Sequence, residues 1–279
     1  VGWSARRLIG PSHETRTGPP ALVFVAVWAM EWEQVMDFSG KTVWLVGASS
    51  GIGEALARAL HEKGAHLILS ARSEAPLVAL RAELGDHHRV LCVDVADRES
   101  LSHAEASLGP GSLDAMITTA AIYDPGRVAD IGLEAAEQLL IVNVMGTLAF
   151  AKAAPRLLRK GGMLGIFGSV AGYFGLPKGQ FYSASKAAVI NLAQTLRVEY
   201  APQIDVRLIS PGFVNTRLTQ KNDFDMPFII EPDEAASAIL HGLQSNRFEV
   251  HFPKKLTYGL KVLQMLPYWA SLRLTKRMN

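Results

Sequence analysis

A short strand-forming run, Thr42–Val46, stops on glycine and gives way to Gly47-Ala48-Ser49-Ser50-Gly51-Ile52-Gly53. Directly afterwards Ile52, Ala55, Leu56, Ala59 and Leu60 recur at helical spacing as far as Lys63, and Gly64 ends the pattern. Glycines let a chain turn sharply there, and they let backbone N–H groups approach an anion at the positive end of a helix. The spacing is G-x-x-x-G-x-G rather than G-x-G-x-x-G. After a strand, before a helix and first in a strand–helix series, it reads as the seat of a dinucleotide pyrophosphate. Gly47, Ser49, Ser50, Gly51, Ile52 and Gly53 are the residues that would form it.

The series continues. Leu67–Leu69, Val90–Val93, Leu113–Thr118, Met163–Phe167, Val206–Ile209 and Phe248–Phe252 read as further strands. Helical patterns separate them around Leu77–Leu84, Glu99–Leu108, Leu133–Leu158, Tyr182–Tyr200 and Asp233–Leu243. Continuous Val/Ile/Leu strands alternating with amphipathic helices make a parallel sheet covered on both faces. The expected fold is α/β, a single doubly wound Rossmann-type sheet of about seven strands, with ligands outside the carboxyl ends of its strands.

With 279 residues, 49% of them hydrophobic, the chain can bury one large α/β core. A formal charge of +2 gives no single-sign field and no reason to expect a nucleic-acid partner. The lone Cys92 rules out an intramolecular disulfide framework; within its apolar run it reads as a small buried strand residue. The eight histidines show no ligand spacing, so no metal is expected, and His87-His88 reads as a solvated loop.

Cofactor choice is read at the end of the second strand, where NAD-binding sheets carry Asp or Glu for the ribose 2′-hydroxyl. Here the chain has Ser70-Ala71-Arg72-Ser73, with no carboxylate to repel a 2′-phosphate and with Arg72 able to grip one. NADP(H) is therefore favoured over NAD(H). Asp94-Val95, at the end of the third strand, can bond the adenine or simply cap a helix. Tyr182 and Lys186 stand at i and i+4 on one helix, hence on one face. A neighbouring ammonium can lower a phenol from its ordinary pKa of about 10, so Tyr182 can exchange protons with a substrate oxygen. Ser169 closes the fifth strand on the same sheet edge. Asn143, a polar amide among Leu139, Leu140, Ile141 and Val144, can hold a water beside Lys186 or serve packing alone.

Taken in order, these motifs resemble the short-chain dehydrogenase/reductase family over Phe38 to Phe252. The glycine turn, Asn143, Ser169, Tyr182 with Lys186, and Pro211-Gly212-Phe213-Val214-Asn215-Thr216 carry the resemblance. It implies that Tyr182 is the general acid or base and that Ser169 orients the carbonyl. Lys186 would lower the tyrosine pKa and bond the nicotinamide ribose. The Val214 backbone and Thr216 would fix the carboxamide, and Pro211, Gly212 and Ala120 would be further cofactor-binding residues. Two positions depart from the pattern. Val46 stands where the family has Thr, losing a bond that braces the turn. Thr118-Thr119-Ala120-Ala121 replaces Asn-Asn-Ala-Gly, and Ala121 disfavours positive φ. The expected activity is hydride transfer between a nicotinamide and an apolar carbonyl or alcohol, by a homo-oligomer (dimer or tetramer). The alternatives are a catalytically weak NADP-binding regulator and a membrane-attached binding protein on the same fold.

Residues 1–36 read as a poorly ordered extension or an over-extended start; a membrane-contacting segment and a targeting peptide are the other readings of Ala21–Met30. Residues 37–253 are the oxidoreductase domain. Residues 254–279 form a basic tail without Asp or Glu, with Leu256, Leu260 and Leu263 at helical spacing and Trp269 beyond. Such a tail suits a membrane surface or packing over the pocket or a partner subunit. Cofactor supply points to the cytoplasm, with a peripheral contact to the inner face of the membrane available through the tail. Between Thr216 and Pro232, where the family that the chain resembles places its substrate lid, lies a short segment with an apolar second half; with it, Tyr173, Phe174 and Leu176 suggest a greasy pocket or serve plain packing.

Overall fold

Strand β1 (Thr42–Val46) alternates its side chains between two apolar layers, and all four after Thr42 are buried in them. Val43 and Leu45 face one side, where α1 (Gly51–Glu62) supplies Ala55, Leu56 and Leu60. Trp44 and Val46 face the other. There the Trp44 ring packs 5.0 Å from Phe150, and its indole N–H donates to Ser70 Oγ at 2.9 Å. A buried indole whose polar atom is satisfied contributes its full apolar area; truncation to Ala would cost roughly 3–5 kcal/mol.

The computed structural model describes residues 36–276. After α1 come β2 (His66–Ser70), α2 (Glu74–Leu84), β3 (Arg89–Val90), α3 (Arg98–Leu108) and β4 (Leu113–Thr118). A long helical stretch follows in three parts: α4 (Leu133–Leu140), a π-helical turn (Ile141–Gly146) and α5 (Thr147–Leu157). The chain continues through β5 (Leu158–Phe167), α6 (Gln180–Glu199), β6 (Ile204–Pro211), α7 (Pro232–Leu243) and β7 (Glu249–Phe252). It ends in α8 (Lys254–Met265) and α9 (Tyr268–Lys276). The seven strands form one parallel sheet in the order β3-β2-β1-β4-β5-β6-β7. The expected doubly wound sheet is thus the observed one. The expectations for residues 1–35 lie outside the described residues.

Leu133–Leu157 is, among the described residues, the one helix long and apolar enough to cross a bilayer. Its apolar face is already used: Val142, Phe150, Ala151, Ala154 and Leu157 are core residues against the sheet.

Three expectations are corrected at the β3 edge. The ladder closes at Val90, although Leu91 and Val93 N–H groups still donate to Leu69 and Ala71 carbonyls. Strand-like alternation persists, so Val93 is buried and Cys92 is exposed: an edge strand covers only one of its faces. His88 is not solvated but buried, while His87 is exposed. Nδ1 of His88 accepts the Leu67 N–H at 3.1 Å, and Nε2 lies 3.0 Å from Nδ1 of His61. A neutral ring that accepts at Nδ1 carries its proton on Nε2, so His88 donates to His61. Ligand nitrogens of His61, His87 and His88 come within 4.8 Å of one another, a spacing that linear sequence conceals. Metal-bound histidines normally donate their second N–H; here that nitrogen is occupied as an acceptor. The cluster therefore reads as a hydrogen-bonded stack.

Burial, followed by the neighbouring His87, His61 and His66, pushes His88 down to about 4. Between roughly 6.5 and 4 the unfolded chain binds a proton that the folded chain refuses, so stability conferred above that window is lost as pH falls. Melting temperature should decline from pH 7 to pH 4.5. His88→Asn, which keeps an acceptor for Leu67 N–H without titrating, should flatten part of that decline. Equal slopes for the two proteins would show that His88 is not responsible.

Candidate active site

The carboxyl ends of the strands open onto a cavity of about 730 Å³. Its wall includes every sequence-predicted site residue but one. Gly47, Ser49, Ser50, Gly51, Ile52 and Gly53 come from the loop after β1 and the start of α1, Arg72 from the end of β2, and Asp94 and Val95 from beyond β3. Ala120 follows β4, Ser169 follows β5, Tyr182 and Lys186 project from α6, Pro211 ends β6, and Gly212, Val214 and Thr216 follow it. Asn143 alone lies behind the wall, fully buried.

The glycine turn is held by contact rather than by composition alone. Gly47 has φ +94°, and a Cβ there would lie 2.3 Å from Thr119 Oγ1; a Cβ on Gly53 would lie 2.1 Å from the Gly47 carbonyl oxygen. Thr119 Oγ1 lies within hydrogen-bonding reach of both the Val46 carbonyl (3.2 Å) and the Gly47 carbonyl (3.1 Å), and its hydroxyl can donate to either. A hydroxyl from the β4 loop thus braces the turn that Val46 cannot brace with its own side chain. Helix α1 has no side-chain cap at Ser50, so the N–H groups of its first turn remain directed to whatever enters the cavity. An uncapped helix start with an arginine at the neighbouring strand end fits the phosphates of a dinucleotide. Asp94 folds back on its own backbone, accepting from Ala96 N–H at 2.9 Å, while the cap of α3 is supplied by Asp97.

Around Tyr182 the electrostatics are set by burial. The phenol is pushed up to about 12 by desolvation, with a hydrogen bond to Ser169 drawing it back and Tyr123 adding to the rise. Lys186 is pushed down to about 8 by the same burial, and its ammonium donates to the Phe167 carbonyl at 2.9 Å. The ammonium sits 5.8 Å from the Tyr182 ring centroid. The expected lowering of the tyrosine by the lysine is therefore not what governs this pocket; desolvation is larger. Ser169 Oγ accepts from Ala171 N–H at 3.1 Å, which fixes its oxygen at the start of a 3₁₀ turn.

Asn143 occupies the π-helical turn. Its Oδ1 accepts from Ile122 N–H at 2.9 Å, and its Nδ2 donates to the Ile122 carbonyl at 3.0 Å and to Ser185 Oγ at 3.1 Å. Both donors are committed, so the side chain clamps the β4 exit to α6 instead of reaching Lys186. Ser185 in turn donates to the Tyr182 carbonyl at 2.7 Å. Asn143 thereby positions the segment that carries the tyrosine.

Tyr123 was not foreseen. It is buried edge-on against Tyr182, with ring centroids 4.7 Å apart, and its hydroxyl donates to Asn222. Lys221 Nζ donates to the Tyr123 carbonyl at 3.0 Å, and Lys178 pairs with Asp223 at 2.9 Å. The segment after Thr216 is thus fastened at three consecutive residues, Lys221, Asn222 and Asp223. The one available signal was position: Tyr123 follows a strand on the ligand-binding edge.

Of the greasy trio, only Leu176 lines the cavity, beside Phe213, Leu218, Phe224, Pro227, Leu256 and Leu260. Tyr173 instead turns away and donates to Glu249, which also accepts from Ser210 Oγ (2.7 Å) and Lys261 Nζ (2.5 Å). Burial alone would raise Glu249, but these three partners outweigh it and hold the carboxyl below its usual value. Phe174 packs beside Tyr173, Leu260 and Leu263. The tail is accordingly part of the same compact unit, and α8 walls the pocket.

The short chain dehydrogenase family model matches residues 41–226. The 11-beta-hydroxysteroid dehydrogenase A of Sesamum indicum is 35% identical over 192 residues, covering 66% of this chain and only 55% of that protein's own length. A short-chain dehydrogenase from Sphingobium yanoikuyae in complex with NADPH is 28% identical, with a TM-score of 0.71 over 80% of this chain and 92% of that one. A short chain dehydrogenase from Burkholderia cenocepacia J2315 in complex with NADP shares the fold, with a TM-score of 0.75 over 86% of this chain and 99% of that one at 24% identity. The chain belongs to the short-chain dehydrogenase/reductase family of nicotinamide-dependent oxidoreductases.

Proposed function

We propose that the protein is an NADPH-dependent reductase of apolar carbonyl compounds, working through Tyr182, Ser169 and Lys186. The observation that carries this reading is a single cavity that joins the glycine turn and Arg72 at one end to the buried tyrosine, serine and lysine at the other. The nicotinamide, when bound, supplies the hydride. Everything else falls to the chain. Tyr182, held up to about 12, keeps its proton at neutral pH and so stands ready as the acid that protonates the carbonyl oxygen. Ser169 presents a hydroxyl to that oxygen, a bond that strengthens as negative charge develops. Lys186 places a positive charge behind the phenol, where it favours the phenolate left after proton transfer. The apolar wall of Leu176, Phe213, Phe224, Leu256 and Leu260 excludes water and selects a hydrophobic substrate. At the cofactor end, Arg72 supplies a cation where a 2′-phosphate would lie, and Ser70, Ala71 and Ser73 oppose it with no charge.

Tyr182→Phe keeps the ring against Tyr123 but removes the exchangeable proton. NADPH affinity should hold while carbonyl reduction falls by roughly 10² or more; steady-state turnover with a panel of apolar aldehydes and ketones, alongside cofactor titration, reads both. Near-normal turnover would sink the mechanism.

Arg72→Asp should reverse the cofactor preference, because the 2′-phosphate loses a cation and meets a like charge, a swing of roughly 2–5 kcal/mol. Ratios of kcat/KM for NADPH and NADH in both proteins provide the measurement. An unaltered protein that uses the two cofactors equally would remove the basis for assigning NADPH.

A further inference from the structure

Helices α8 and α9 expose apolar side chains that no described part of the chain covers. On α8, Leu256 and Leu260 line the cavity, whereas Tyr258, Val262 and Met265 on the opposite side are 56%, 59% and 84% exposed. On α9, Ser271 and Thr275 are buried, while Tyr268, Trp269, Leu272 and Leu274 face solvent. Seven of the fifteen exposed large hydrophobics among the described residues thus fall within one short stretch, too many for scattered surface apolarity.

The charge of this stretch identifies its partner. From Lys254 to Lys276 there is no Asp or Glu. Lys261 is paired with Glu249, but Lys254, Lys255, Arg273 and Lys276 are exposed. A second copy docked on the same face would bring cations against cations. A sheet of anionic phospholipid headgroups neutralises them instead, and the amphipathic rings of Tyr258, Tyr268 and Trp269 suit the boundary between headgroup and acyl chain. Helices of twelve and nine residues are too short to cross a bilayer, so they would lie in its plane.

We propose that α8 and α9 form a docking surface for anionic phospholipid bilayers. Because α8 is also a wall of the cavity, docking would set the substrate end of the pocket beside the lipid phase, from which an apolar carbonyl can enter without crossing water. The surface itself does not depend on the proposed reaction.

The test is co-sedimentation of the full chain with vesicles of phosphatidylcholine alone or mixed with phosphatidylserine, at low and high salt. Two double variants accompany it, Met265→Ser with Trp269→Ser and Lys255→Glu with Arg273→Glu, all at exposed positions. The expected result is salt-sensitive binding to the phosphatidylserine vesicles, weakened roughly tenfold or more in each double variant at unchanged melting temperature. Binding that persists undiminished in both variants, or no binding by the full chain, overturns the proposal. So does sedimentation equilibrium showing that the apolar variant dissociates an oligomer while the full chain ignores vesicles, which would make this face a subunit interface.

Discussion

Parallel pairing of β1 with β2 on one side and β4 on the other is the constraint on which the rest depends. The chain builds outward from β1 toward β3, then returns to build from β4 toward β7. The loops leaving β1 and β4 consequently diverge, and a crevice opens between them at the carboxyl edge. Everything the site uses hangs on that edge. The glycine turn occupies one lip, Thr119 and Tyr123 the other, and the Thr119 hydroxyl bridges them by reaching the Val46 and Gly47 carbonyls. Loss of one family side chain at position 46 is offset from a neighbouring strand, which preserves the turn by a different donor.

Tyr182 and Lys186 accept unfavourable burial in a low-dielectric setting. A buried ammonium at Lys186 and a phenol at Tyr182 raised to about 12 are each displaced toward their neutral forms, with few polar neighbours. Their positions are fixed from behind by Asn143 and Ser185, and from above by the Tyr123–Asn222 latch. On the far side, Glu249 gathers Tyr173, Ser210 and Lys261 and so couples the 3₁₀ turn after Ser169, the end of β6 and helix α8. One carboxylate thereby ties the turn after Ser169 to the helix that walls the cavity.

Local chemistry was readable in the chain; contacts made across it were not. The glycine turn, the i, i+4 pair of Tyr182 and Lys186, and the alternation of strands and helices follow from neighbours in sequence; they give the sheet, and every site residue the sequence names except Asn143 lies on the cavity wall. Thr119 and Tyr123 act on residues about 60 or more positions away, so the sequence offers a threonine hydroxyl and a place on the ligand-binding edge but not the partners they meet. His61 meets His88 only because α1 and the β3 approach return to the same end of β2. For Tyr173 the sequence leaves pocket lining and plain packing both open, and only the fold, which brings the Glu249 carboxylate to its hydroxyl, decides for packing. The direction of the Tyr182 shift was misjudged for a related reason: sequence shows the charge on Lys186 but not the depth of burial that outweighs it.

Where a dinucleotide sits decides the proposed chemistry, and a crystal structure of the protein with NADP⁺ tests this most directly. The expected result is the pyrophosphate against the N–H groups of Ser50, Gly51 and Ile52, the 2′-phosphate within hydrogen-bonding distance of Arg72, and the nicotinamide beside Tyr182 and Ser169. A dinucleotide bound elsewhere, or one whose nicotinamide lies away from the tyrosine, would contradict it.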